Sequence, residues 1–99
     1  MAYDPGILDA ALSSAVGDDA RLISELRSAF LDSAQVRVAQ MRRARTALDW
    51  RIAVLRLQGL AASFGAVRLM ECAAVALDGR VGDGAMLAAI EDAIATFVA

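Results

Sequence analysis

Few residues in this chain have side chains suited to chemistry. No histidine is present among the 99 residues, which removes the commonest general base, the commonest metal ligand and any phosphohistidine. All ten positive charges are arginine. With no lysine, a Schiff base and a phosphate-cradling P-loop lysine are both excluded. Cys72 is the single cysteine, so neither an internal disulfide nor a cysteine zinc cluster can form. The acid pairs Asp18-Asp19 and Glu91-Asp92 are adjacent in sequence. On a helix such neighbours diverge, so they read as capping and solubilising charges rather than an acid/base couple. Met1, Met41, Met70 and Met86 form no cluster that suggests copper. These absences point to a protein that is not an enzyme, with no catalytic residue, no metal and no cofactor.

Two features remain that could bind something. The first is a run of arginines, Arg37, Arg42, Arg43, Arg45, Arg51 and Arg56, with only Asp49 among them. It can be a solvated face with helix-dipole compensation, or a surface complementary to an acidic partner. Nucleic acid is disfavoured, because the net charge is −2 and no aromatic cluster lies along the run to stack bases. The second is the outward side of the helix around residues 50–64, which carries Arg51, Ile52, Leu55, Gln58, Gly59 and Ala62 at spacings of three and four. A leucine beside a mid-helix glycine on a face expected to be polar suggests close approach by another molecule.

The elements that position these residues are helices. The chain is 59% hydrophobic, with a mean hydropathy of +0.52 and one proline, enough apolar content for one core in one domain covering 1–99 and too much for disorder. Five helices and no strands are predicted. The first covers about Pro5–Val16, capped by Asp4, with Leu8, Ala11, Leu12 and Ala15 inward and Gly17 as its stop. The second covers about Asp19–Ala47, with Leu22, Leu26, Ala29, Phe30, Ser33, Met41, Ala44 and Leu48 on one side and Arg37 near that stripe. The third begins after Asp49 and ends near Phe64, with Trp50, Ala53, Val54, Leu57, Ala61 and Phe64 inward and Gly65 as a left-handed cap. The fourth covers about Ala66–Leu77, burying Ala66, Leu69, Cys72, Ala73 and Ala76. The fifth runs from about Ala85 to the end, capped by Asp83, burying Leu87, Ile90, Ile94 and Phe97. Short connections between amphipathic helices favour an antiparallel up-down four-helix bundle, with the short first helix across one end. No secretory signal and no membrane-length apolar stretch is seen, so a cytoplasmic protein without membrane contacts is expected.

The window Val54-Leu55-Arg56-Leu57-Gln58-Gly59-Leu60-Ala61-Ala62-Ser63-Phe64-Gly65-Ala66 resembles the signature of histidine-containing phosphotransfer (HPt) domains, roughly Ala-His-x-Leu-Lys-Gly-x-Ala-x-x-x-Gly-Ala. Leu57, Gly59, Ala61, Gly65 and Ala66 match. Ala47-Leu48-Asp49-Trp50 and the opening Asp4-Pro5, followed by Gly17-Asp18-Asp19, are also similar to that family. The resemblance implies an HPt-like all-α bundle and a docking face. Its phosphorylated histidine falls at Leu55, and its phosphate-holding lysine at Gln58. Leucine has no lone pair to accept a phosphoryl group. The resemblance therefore implies a pseudo-phosphotransfer module of two-component signalling. It would dock a response-regulator receiver domain or a histidine kinase through Arg51, Ile52, Leu55, Arg56, Gln58, Gly59 and Ala62. The competing expectation is a homodimer or small scaffold that buries the same face.

Overall fold

The computed structural model describes residues 20–99, and every regular element in them is helical. We number the helices α1 (Ala20–Arg43), α2 (Ala47–Phe64), α3 (Val67–Leu77) and α4 (Gly84–Val98). The expected helix over Pro5–Val16, with its caps, lies outside the described residues.

α1 stops at Arg43, four residues short of the expected Ala47. The reason is Thr46. Its backbone is extended, and the Asp49 N–H donates to its hydroxyl at 3.1 Å, so Thr46 rather than Asp49 is the N-cap of α2. The break at 44–46 resets the helical phase. Leu48, expected in the inward stripe of the preceding helix, stands in the first turn of α2 and is 65% exposed. Leu22, Ala29 and Ser33 are also exposed, and Leu26 and Ala44 only half-buried. The stripe that α1 buries is Phe30, Ala34, Val38 and Met41, at spacings of three and four. Among the described residues, none before Phe30 is fully buried.

The other three helices bury the expected sides, with small differences. α2 buries Trp50, Ala53, Val54, Leu57 and Ala61, leaving Phe64 half-buried. Gly65 ends it in the left-handed region at φ 69°. The Gly65 N–H donates to Ala62 O at 3.2 Å and the Ala66 N–H to Ala61 O at 2.9 Å, the paired bonds of a Schellman motif. α3 buries Leu69, Ala73 and Ala76, while Cys72 is half-buried. Asp83 caps α4 by accepting from the Ala85 and Met86 N–H groups at 3.0 and 3.2 Å.

Each helix packs on its neighbours in the chain, and α4 packs back on α1. Particular contacts give the direction of each pairing. Phe30 meets Phe64 at the end of α2 edge-on (centroids 4.8 Å apart) and Phe97 at the end of α4 in a tilted pair (5.2 Å). At the other end, the buried Trp50 indole N–H donates to Ala76 O at 2.7 Å, joining the start of α2 to the end of α3. Arg68 in the first turn of α3 pairs with Asp92 of α4 at 2.7 Å, and Arg42 in the last turn of α1 with Glu91 at 2.8 Å. The core is apolar throughout, with no buried charged or polar residue among those described. No helix of the described residues is long and apolar enough to cross a membrane.

Candidate functional site

The buried stripe of α2 fixes what its opposite side presents. With Trp50, Ala53, Val54, Leu57 and Ala61 inward, the residues at Leu48, Ile52, Leu55, Gly59 and Ala62 line up along the outward side at steps of four and three. All five are exposed. The three large ones matter most, with Leu48 at 65%, Ile52 at 39% and Leu55 at 46% exposure. The two small ones leave space beside them. A Cβ placed on Gly59 would meet no atom within 4 Å, so the glycine is not required by packing among the described residues. The Ser63 hydroxyl donates to Gly59 O at 3.0 Å, satisfying one local polar group with a short side chain.

Every sequence-predicted site residue lies on α2. Arg51, Ile52, Leu55, Arg56, Gly59 and Ala62 are exposed, and Gln58 is half-buried. They do not form one uniform patch. Ile52 and Arg56 turn toward α1, where they line a groove with Gln40, Arg43, Ala44 and Asp49. Arg56 also lines an adjoining recess with Ser33, Arg37 and Leu60. The surface therefore has an apolar ridge on α2 and an arginine-lined groove beside it, shared with α1.

The sequence reading missed two parts of this surface. Leu48 was absent from the face because it was assigned to the previous helix. Its spacing to Ile52 and Leu55 is the signal that identifies it once α2 begins at Ala47. Arg37 and Arg43 are legible as residues of the preceding helix, Gln40 carries no signal of its own, and their approach to Arg56 is a tertiary fact. Arg37 is half-buried, and its guanidinium donates to Gln40 Oε1 at 3.1 Å. It lines the recess beside the groove, and a half-buried arginine of this kind can keep its charged head in water.

The groups expected to be inert for chemistry have other engagements. Glu91 and Asp92 are held in ion pairs with Arg42 and Arg68. Cys72 lies half-buried beside an apolar cleft between α3 and α4, lined also by Glu71, Val75, Met86 and Ala89. Among the described residues, no group of three His, Cys, Asp or Glu side chains could hold a metal ion. Leu55, at the centre of the outward face, offers only hydrocarbon.

No protein-family model, curated protein or solved structure matches this chain.

Proposed function

We propose that this chain is a non-catalytic, HPt-like binding module that docks a response-regulator receiver domain or a histidine kinase through the outward side of α2 and carries no phosphate. The observation that carries the reading is Leu55. It occupies the position where the resemblance places the acceptor histidine, and it is 46% exposed midway along an apolar, small-residue face. The ring of four helices, with the start of α2 held against the end of α3, suits the antiparallel up-down bundle that the resemblance implies. Receiver domains present carboxylates around their phospho-acceptor aspartate, and the arginines flanking Leu55 are complementary to such a surface. A cytoplasmic place of action goes with this reading.

Binding to purified receiver and kinase domains, with and without Leu55→Asp, tests it. Wild type is expected to bind at least one of them, and Leu55→Asp to weaken that binding at least tenfold with the helical spectrum unchanged. Full burial of a leucine is worth about 1.5–3 kcal/mol, so a tenfold loss is within reach of this single side chain. Incubated with a phosphorylated receiver or an active kinase, the protein should take up no phosphate. Stoichiometric phosphorylation at any residue defeats the proposal.

The second reading is a homodimer through the same face. Leu48, Ile52 and Leu55 favour it, because three exposed large apolar residues on one line can cover one another across a two-fold axis. Sedimentation separates the two: a wild-type dimer that Leu55→Asp turns into a monomer, with no heterologous partner affected, replaces the docking module by a scaffold.

A further inference from the structure

The unpaired arginines of α1 and α2 define the chemistry of the partner. Among the described residues, no ion pair or side-chain hydrogen bond engages Arg43, Arg45, Arg51 or Arg56. Arg42 is the contrast. It turns to α4 and meets Glu91 at 2.8 Å, whereas Arg43 turns the other way into the groove with Arg56. Folding accounts for some of this charge. Arg42 and Arg43 sit in the last turn of α1, where a cation complements the helix dipole. It does not account for Arg51 in the second turn of α2, near the positive end of that dipole, or for Arg56 at its middle. It accounts no better for Arg43 and Arg56 lining one groove with a single carboxylate, Asp49, or for Arg37 joining Arg56 in the recess beside it. Like charges gathered in a groove repel unless a counter-charge enters it.

We infer that the α1–α2 groove is the electrostatic half of the docking surface. In this arrangement Arg37, Arg43 and Arg56 receive carboxylates of an acidic partner protein, while Ile52 and Leu55 cover its apolar side. The inference rests on the proposed reading for the face being a docking face, and it adds the groove and three anchors, two of them on α1. Arginine suits the task, since its planar fork binds a carboxylate with two parallel hydrogen bonds. A protein partner is favoured over nucleic acid because the groove is continuous with an aliphatic ridge and no aromatic residue lines it to stack a base.

The test uses the full chain and three probes: a 16-residue amphipathic helical peptide with glutamates on one side and leucines on the other, its lysine counterpart, and an oligothymidylate of similar length. Binding is read by fluorescence anisotropy at about 0.15 M salt, and the location by backbone amide shifts. The acidic peptide is expected to bind, to shift Gln40, Arg43, Ile52 and Arg56, and to lose about tenfold in affinity in the double variant Arg43→Glu/Arg56→Glu. The lysine peptide is expected to bind that double variant better than it binds wild type. Both arginines are exposed, so the variant should stay folded, with only a small loss of melting temperature from the anion in the last turn of α1. An unchanged affinity in the folded double variant overturns the inference, as does equal binding of the two peptides to wild type or tighter binding of the oligonucleotide. A receiver domain whose binding is lost in Leu55→Asp but untouched in Arg43→Glu/Arg56→Glu removes the groove and leaves the proposed function standing. Charge-swapped peptide binding without any receiver or kinase binding supports the groove and removes the proposed function.

Discussion

A Cβ on Gly59 would point into open space, with nothing within 4 Å. Among the described residues, the glycine therefore has only a cost, about 1 kcal/mol against alanine in a helix interior. Gly59→Ala should stabilise the protein by about 0.5–1 kcal/mol, read as a higher urea midpoint at constant slope. Loss of more than about 1 kcal/mol would mean that the site is packed. Trp50 is the opposite case. Its indole is buried and its N–H reaches Ala76 O at 2.7 Å, where that carbonyl also accepts from the Gly79 N–H at 3.0 Å. In Trp50→Phe the carbonyl keeps its second donor, so no acceptor is orphaned. The loss is one hydrogen bond, about 1 kcal/mol, together with the cavity left by the smaller ring. We expect a destabilisation of about 2–3 kcal/mol in the same unfolding assay. Both residues were readable in the sequence as types, one as an exposed oddity and one as core. That Trp50 ties two helices together was not, because its acceptor lies 26 positions away.

At the scale of the helix, ends were legible where one residue type has no competitor. Gly65 is such a residue, as the left-handed region penalises any Cβ. So is Asp83, whose carboxylate holds the first turn of α4. The start of α2 was misread because two good caps, Thr46 and Asp49, stand three apart. Asp49 directly precedes the apolar Trp50, which makes it the more conspicuous cap. The structure uses Thr46, whose hydroxyl accepts from the Asp49 N–H, and Asp49 stands in the first turn, where a carboxylate suits the helix dipole. The three-residue error carried Leu48 to the wrong helix, and with it one end of the apolar ridge. Ala34 and Val38 were overlooked in α1 because that helix extends ten residues before its first buried side chain, so a stripe read from Leu22 starts out of phase with the core. Two substitutions test these ends. Thr46→Ala should lower stability by about 1 kcal/mol through loss of the cap. Gly65→Ala should lower it by about 1 kcal/mol, because φ 69° strains an L-residue. Thermal unfolding of each variant checks both, and a neutral Thr46→Ala would return the cap to Asp49.

At the scale of the whole molecule, charge is divided. Residues 30–66 hold six arginines against two aspartates, and residues 67–99 hold two arginines against five acids. The basic half carries the ridge and the groove, and on the acidic half Glu91 and Asp92 are already spoken for by Arg42 and Arg68. Such a division acts first on encounter, because a field extends about 8–10 Å in physiological salt whereas apolar contact needs touching surfaces. The two parts of the docking surface should therefore separate kinetically. Arg51→Glu or Arg56→Glu should slow association with an acidic partner and flatten its dependence on salt, with a smaller effect on dissociation, smallest for Arg51, which anchors no carboxylate. Leu55→Asp should instead speed dissociation, since it breaks the water-excluded centre that Gly59 and Ala62 leave room to form. The control must avoid Glu91, whose removal would free Arg42 and add to the basic field. Glu71 on α3 is exposed and outside both ridge and groove, so Glu71→Gln should alter neither rate beyond a small electrostatic factor. Surface plasmon resonance at two salt concentrations reads all four proteins. If Leu55→Asp and the arginine variants change the same rate constant to the same extent, ridge and groove do not play separate roles and the division of labour proposed here is wrong.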